Sequence, residues 1–217
     1  MKNKKCLIIS GGCLETGPFY QALAQEAHCV ICADGGARHA AALGIVPALA
    51  VGDFDTLTEK ELAELAALGT KIIRCPREKD YTDTQMALEK ALEMGFQEID
   101  IVAALGGRLD HALANVMLLA LPKAEEARIR LLDEDQEVFL IRRKTVLRGK
   151  LGETISLLPL SEEVSGIRTR GLYYQVDNGR FVMGIPVGVS NVFSEETAEI
   201  EIEKGLLLAI RVRNKQG

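Results

Sequence analysis

The sequence predicts an α/β protein: an N-terminal, mostly parallel sheet with helices on both faces, followed by a small all-β sandwich or barrel. Three observations lead there. Through about residue 133, short apolar runs alternate with stretches whose apolar residues recur every three or four positions. From residue 134 onward the helical period is lost, and short strand-like runs follow one another across glycine or Asn-Gly turns. The chain has 217 residues, 47% of them hydrophobic, enough for one large domain or two ordinary ones with sizeable cores. The expected division is 1–133 and 134–217.

In order, the first region offers strands at "KCLIIS", "HCVICAD", "ALAVGD", "KIIRC", "EIDIVAAL" and "IRLL". Between them lie helical patterns at "PFYQALAQEA", "TEKELAELAALG" and "TDTQMALEKALEMG". In the last, Thr82 is suited to cap the N-terminus and Gly95 to stop the helix. Strands joined by helical crossovers imply parallel pairing with both faces covered. The second region offers "ETISLLPL", "GLYYQV", "TAEIEIE" and "LLLAIRVR". In "AEIEIEKG", Glu199, Glu201 and Glu203 alternate with Ile200 and Ile202, as in a half-exposed strand. If "GLYY" is a strand, neighbouring side chains oppose, so one of Tyr173 and Tyr174 should enter the core.

Composition narrows the class. A formal charge of −5 and a pI near 5.4 argue against a nucleic-acid or anionic-membrane partner, which would call for a basic patch. No apolar run approaches a membrane span. The start, "MKNKKCLIISGG", has lysines before an apolar run of only a few residues, too short for a secretory leader. A soluble, cytoplasmic protein is expected. Five cysteines (Cys6, Cys13, Cys29, Cys32 and Cys75) are odd in number. "CVIC" lies in a strand, where residues three apart face opposite sides, so free thiols are expected rather than a redox pair or zinc site. Of the histidines, His28 reads as core or strand edge, His39 as helix surface, and His111 as a neighbour of the site.

The polar residues recur at the ends of the strands. "LIISGG", "CADGGAR", "VGDFDT", "CPREKDYTD" and "ALGGRLDH" each follow an apolar run. In an open parallel sheet the carboxyl ends of the strands form the ligand crevice. In "GDFDT", Asp53 and Asp55 would face one spot if the chain stays extended. Two carboxylates so placed raise each other's pKa unless a cation or donors lie between them. Neither G-x-x-x-x-G-K-[ST] nor G-x-G-x-x-G occurs, so neither familiar nucleotide loop applies. Asp34, Asp53, Asp55, Asp80, Asp83 and Asp110 offer hard oxygen ligands of the kind that suit Mg²⁺ bridging to phosphate. Arg108 and Lys79 can neutralise phosphate.

"ADGGA" (33–37), "GDFDT" (52–56), "KDYTD" (79–83) and "GGRLDH" (106–111) with Asn115, then "GLYY" (171–174) and "GVSN" (188–191), resemble in that order the thiamine pyrophosphokinase (thiamine diphosphokinase) family. The resemblance implies an α/β catalytic domain followed by a β-sandwich substrate domain. It implies transfer of pyrophosphate from ATP to the hydroxyl of thiamine, giving AMP and thiamine diphosphate. By matching position, Asp53, Asp55 and Asp83 would hold Mg²⁺, and Arg108 and Asp110 would contact the nucleotide and its phosphates. Asp34, Gly35, Gly36, Lys79, Asp80, Thr82 and His111 would join Arg108 in binding ATP. Tyr174, Ser190 and Asn191 would contact thiamine, supplied in this family by the partner subunit of a homodimer. Thr56 stands where the family usually has Ser and keeps the hydroxyl. Tyr174 stands where some members have Trp and can still stack on a cationic ring. Three rivals remain at this point: a pyrophosphokinase for another hydroxymethyl heterocycle such as a pterin, a metal-dependent glycosyltransferase, and a non-catalytic thiamine-binding regulator.

Overall fold

In a computed structural model, residues 4–213 are described; residues 1–3, the start of the N-terminal segment weighed above as a leader, lie outside them. The chain divides into two compact units, Met1–Asp133 and Glu134–Gly217.

The first unit alternates strand and helix. It runs β1 (Lys5–Ile9), α1 (Pro18–Glu26), β2 (Cys29–Ala33), α2 (Gly36–Ala42), β3 (Leu49–Gly52), α3 (Glu59–Ala67), β4 (Lys71–Arg74), α4 (Asp83–Glu93), β5 (Glu98–Val102), α5 (Leu109–Leu118) and β6 (Arg128–Leu132). The strands lie in the order β6-β5-β1-β2-β3-β4, and every pairing is parallel. One face of the sheet, carrying Leu7, Ile9, Val30 and Cys32, packs on Tyr20 of α1, Ala37 and Ala40 of α2, and Leu62 and Leu65 of α3. Helix α4 packs against β1, β2 and β3 through other side chains, burying Ala87, Leu88 and Ala91. Helices therefore cover both faces.

Local chemistry sets the helix ends. Thr58 and Glu61 form a reciprocal capping box on α3, with Thr58 N–H donating to Glu61 Oε2 at 2.7 Å. Thr82 Oγ1 accepts from Gln85 N–H at 3.1 Å at the start of α4, and Gly95, at φ +82°, follows its end. These are the cap and stop expected from the sequence.

The second unit consists of two antiparallel sheets. Its strands are β7 (Gln136–Ile141), β8 (Lys144–Arg148), β9 (Thr154–Pro159), β10 (Glu163–Arg170), β11 (Gly179–Val182), β12 (Asn191–Val192), β13 (Thr197–Glu201) and β14 (Leu207–Val212). Strands β12-β9-β14-β7 form one sheet and β11-β10-β13-β8 the other. Phe139, Ile155, Leu157 and Ala209 of the first meet Val164, Ile167, Ala198 and Ile200 of the second in one buried core. This is a sandwich rather than a barrel. The segment "GLYYQV" departs from expectation: it holds a single isolated bridge, Leu172 to Phe193, and no strand. Gly171 turns the chain there at φ +74°. Leu172 is buried, while Tyr173 and Tyr174 are both exposed, at 69% and 65%. The alternation rule fails because the chain is not extended.

Among the described residues, no helix is long and apolar enough to cross a membrane. All five cysteines are free.

Candidate active site

In the first unit, the chain fills β1 to β4 moving one way from β1, then returns to the other side of β1 for β5 and β6. The order reverses between β1 and β5, and a crevice opens at such a reversal, outside the carboxyl ends of the strands. A cavity of about 630 Å³ lies there. Its lining includes Ser10 to Cys13 after β1, Asp34 after β2, and Asp53, Asp55 and Thr56 after β3. Thr82, Asp83 and Thr84 come from the start of α4, and Gly106, Gly107, Arg108, His111 and Asn115 from the end of β5 and from α5.

The glycines here are demanded by close backbone approach. A Cβ on Gly36 would stand 2.0 Å from the Ile9 carbonyl oxygen, and one on Gly12 would stand 2.5 Å from that of Ala103. Only a bare backbone lets the turns after β1 and β2 lie this close. Around them, Ser10 and Thr84 share a buried hydroxyl–hydroxyl bond of 2.6 Å. His39 Nε2 donates to the Gly12 carbonyl at 2.7 Å. The expectation that His39 is a helix-surface residue is thus corrected: α2 turns its ring inward, where it holds the glycine loop. Asn115 Nδ2 donates to the Ala104 carbonyl at 2.9 Å from a buried position on α5.

Asp53 and Asp55 converge, though not through the pleat of an extended strand. Strand β3 ends at Gly52, and Phe54 takes a left-handed φ of +57° with its ring buried. The buried ring anchors a tight turn in which Asp55 N–H donates to Asp53 Oδ1 at 3.1 Å. Asp34, also left-handed at φ +42°, brings a third carboxylate. One oxygen each from Asp34, Asp53 and Asp55 all lie within 4.8 Å of one another. Asp34 Oδ2 accepts from Thr56 Oγ1 at 2.8 Å, the hydroxyl that this chain keeps as Thr. Asp34 Oδ1 is buried and has no hydrogen-bond partner among the described residues. Burial pushes the Asp34 pKa up, and the Asp83 and Asp55 charges add to this against the lowering hydrogen bonds from Thr56 and Gly35. A half-buried carboxyl with an orphaned oxygen, beside two more carboxylates, has the donor set that a hard divalent cation takes.

Asp83 lines the same cavity but lies outside that group of three. It is held by Lys79, whose Nζ stands 2.7 Å from Asp83 Oδ1 and is nearly buried. Arg108 and Asp110 pair at the rim, with Arg108 Nε 3.1 Å from Asp110 Oδ1. The Arg108 hydrogen bond pulls the Asp110 pKa down to about 2. Of the other residues assigned by resemblance, Gly35, Gly36, Lys79, Asp80 and Asp110 are not in the lining, whereas Thr82 and His111 are. Sequence reasoning brought Ser10 to the crevice only as part of "LIISGG", without a role, and gave Cys13 and Thr84 no place in the site. The "SGG" after the first strand was the available signal for Ser10, while Thr84 is apparent only once α4 is folded against β1.

In the second unit, Tyr173 and Tyr174 pack edge to face with centroids 4.9 Å apart. Asn191 is buried, and Ser190 stands beside it at φ +59°. Ser190 N–H donates to Ser156 Oγ at 3.0 Å. A Cβ on Gly188 would lie 2.1 Å from the Leu157 carbonyl, so the "GVSN" segment lies directly against β9.

Comparison with known proteins places this arrangement. The profile of the thiamin pyrophosphokinase catalytic domain matches residues 20–131, and that of the thiamin pyrophosphokinase vitamin B1 binding domain matches residues 141–207. A thiamine pyrophosphokinase of Bacillus subtilis is 31% identical over 170 residues, covering 77% of this chain and 79% of that protein. Thiamine pyrophosphokinase 1 of rice (Oryza sativa subsp. japonica) is 26% identical over 210 residues, covering 85% and 79%. Among solved structures, the Bacillus subtilis thiamine pyrophosphokinase superposes with a TM-score of 0.87 at 29% identity, covering 98% of this chain and all of that one. A thiamin pyrophosphokinase family protein of Enterococcus faecalis gives 0.82 at 27% identity, covering 98% and 100%. With both family domains matched in order over the two units just described, the chain belongs to the thiamin pyrophosphokinase family.

Proposed function

We propose that this protein transfers the pyrophosphoryl group of ATP to the hydroxyl of thiamine, giving thiamine diphosphate and AMP. Family membership supports a thiamine diphosphokinase. The observation that carries the finer reading is the cavity wall where Asp34, Asp53 and Asp55 converge, with one buried carboxylate oxygen that no group among the described residues satisfies.

Asp53 and Asp55, joined by Asp34 and with Asp83 in the same lining, are the residues that would hold Mg²⁺. When bound, Mg²⁺ supplies positive charge to phosphate oxygens that these carboxylates would otherwise repel. Everything else falls to the chain. Gly11 and Gly12 after β1, with Gly106 and Gly107 after β5, line the cavity with bare backbone against which phosphates can lie. Arg108, exposed at the rim, exchanges part of its pairing with Asp110 for phosphate oxygens. Lys79 pairs with Asp83 and holds its carboxyl in the cavity wall. Gly35, Gly36, Asp80, Thr82 and His111 complete the nucleotide side. The thiamine hydroxyl oxygen forms a bond to the β-phosphorus as the bond from that phosphorus to the α,β-bridging oxygen breaks. AMP departs with that oxygen, and the hydroxyl proton is released. Positioning and charge neutralisation carry such a transfer, and no covalent nucleophile is needed.

Thiamine pairs a cationic thiazolium with a flat pyrimidine, and it is met by an aromatic face with a few polar anchors. Tyr174 and Ser190 supply these, from the partner subunit of a homodimer. The reaction is placed in the cytoplasm, which supplies ATP and keeps the five free cysteines reduced. The test is turnover on a panel of alcohols with ATP and MgCl₂: thiamine, a hydroxymethylpterin and a simple sugar. Release of AMP with thiamine alone is the expected result. AMP release with the pterin, or nucleotide cleavage with none of them, overturns the proposal.

A further inference from the structure

Asn191 lies in the segment that the family resemblance assigns to thiamine contact, yet its side chain is already engaged. Its Oδ1 accepts from Tyr174 N–H at 2.9 Å and from Val192 N–H at 2.9 Å. Its Nδ2 donates to the Tyr174 carbonyl at 2.7 Å. Two bonds fill the acceptor capacity of an amide oxygen. The orientation of the amide is fixed by its partners, since the flipped form would set an NH₂ against two N–H donors. The residue is 7% exposed. What remains for a ligand is one N–H on a buried group.

The segment that Asn191 grips is anchored by other groups up to Tyr173, but at Tyr174 by Asn191. Residues 171–174 form no strand, so no ladder fixes the Tyr174 backbone. Upstream, Ser194 N–H donates to the Gly171 carbonyl at 3.0 Å and Tyr173 N–H to the Val192 carbonyl at 2.9 Å. At Tyr174 itself, the backbone N–H and C=O both bond to the Asn191 amide. Beyond this double clasp, the Tyr174 ring stands 65% exposed with its edge-to-face partner Tyr173. An exposed ring on an unclasped backbone would sample several directions, and ordering it would then weaken ligand binding.

We propose that Asn191 is a positioning residue, which clasps the backbone of Tyr174 by its N–H and C=O and so holds the aromatic face of the Tyr173–Tyr174 pair ready for the cationic heterocycle. This rests on the reading that Tyr174 faces thiamine. It differs from a direct contact in one measurable respect: the effect of Asn191 passes through Tyr174.

The experiment is a double-mutant cycle in the full-length enzyme, with thiamine KM, ATP KM and kcat measured for Asn191→Ala, Tyr174→Ala and the double variant. Each single change is expected to raise the thiamine KM about tenfold, the scale of one cation–π contact, with ATP KM unchanged. The double variant is expected to stay near tenfold, because coupled residues are non-additive. A rise to about a hundredfold would mean that Asn191 touches the substrate independently, and would overturn the proposal. So would an Asn191→Ala protein that melts lower but keeps the wild-type thiamine KM. If Asn191→Ala does not fold, Asn191→Asp keeps the acceptor and loses the donor, and its KM should fall between those of wild type and Tyr174→Ala. A second readout needs no substrate. The chain has no tryptophan and 4 tyrosines, so the near-ultraviolet circular dichroism reports tyrosine packing. Loss of the clasp should remove the share of that signal that Tyr174→Ala also removes; an unchanged spectrum in folded Asn191→Ala refutes the clasp. Should the wild type fail to use thiamine at all, the proposed substrate falls, and the spectrum still judges the clasp.

Discussion

Replacing Asp55 by Asn removes one of three carboxylates whose oxygens lie within 4.8 Å of one another. At that separation two unit charges repel by about 0.9 kcal/mol in water and about 3.5 kcal/mol at an effective dielectric of 20. Asp55 is exposed, so the lower figure applies to each of its two like-charged neighbours. Against this stands the loss of its pairing with Arg77, 3.5 Å away and also exposed, which contributes about 0–1 kcal/mol. The net expectation in chelator is a variant more stable by about 1 kcal/mol, or about 2–4 °C in melting temperature. In MgCl₂ the order should invert. A cation bound only by the folded state stabilises the wild type by about 1.4 kcal/mol at ten times its Kd, and the variant lacks a ligand. Turnover should fall about a thousandfold, since losing a ligand costs several kcal/mol of transition-state stabilisation. Thermal melts of both proteins, with EDTA and with MgCl₂, read the whole pattern. A variant that melts lower in EDTA, or that gains as much from Mg²⁺ as the wild type, would refute the reasoning.

Two further expectations follow from the same geometry. Gly36→Ala places a Cβ 2.0 Å from the Ile9 carbonyl oxygen, with Ser10 O also at 3.0 Å; strain of about 3 kcal/mol or more should lower the denaturation midpoint, whereas Gly35→Ala, whose nearest neighbour is Thr56 Oγ1 at 3.4 Å, should leave it nearly unchanged. Mixing Asp55→Ala chains with Tyr174→Ala chains, at thiamine well below the raised KM of the latter, should give more activity than the two proteins assayed apart, because one site of each mixed dimer would receive both intact halves; no gain, with mixed dimers shown to form, would count against a site shared between subunits.

What the sequence made legible follows from how parallel sheets work. Each βα turn of the first unit emerges at one edge whatever the strand order, so "ADGG", "GDFDT" and "GGRLDH" could be gathered without knowing which strands pair. The finer geometry was not legible, because it depends on single backbone angles. Asp53 and Asp55 meet through the left-handed turn at Phe54, not through a pleat. Asp34 joins them because its own φ is +42°, which no periodicity reveals. In the second unit, β8 has polar ends and β10 is interrupted by a bulge around Gly166, at φ +67°; both escape a search for apolar alternation. "GLYY" reads as a strand for the opposite reason, having β-forming residues but no ladder partner beyond the bridge at Leu172. The clasp of Asn191 on Tyr174 spans 17 residues, a separation over which a single sequence says nothing of contact.

The most direct measurement of the central claim is the fate of the β-phosphate. With ATP labelled at the β-phosphorus, thiamine and MgCl₂, the account predicts that the label moves into thiamine diphosphate as AMP accumulates in equal amount, with no ADP intermediate. Label retained in ADP, with thiamine monophosphate formed first, would show successive phosphoryl transfers and contradict it.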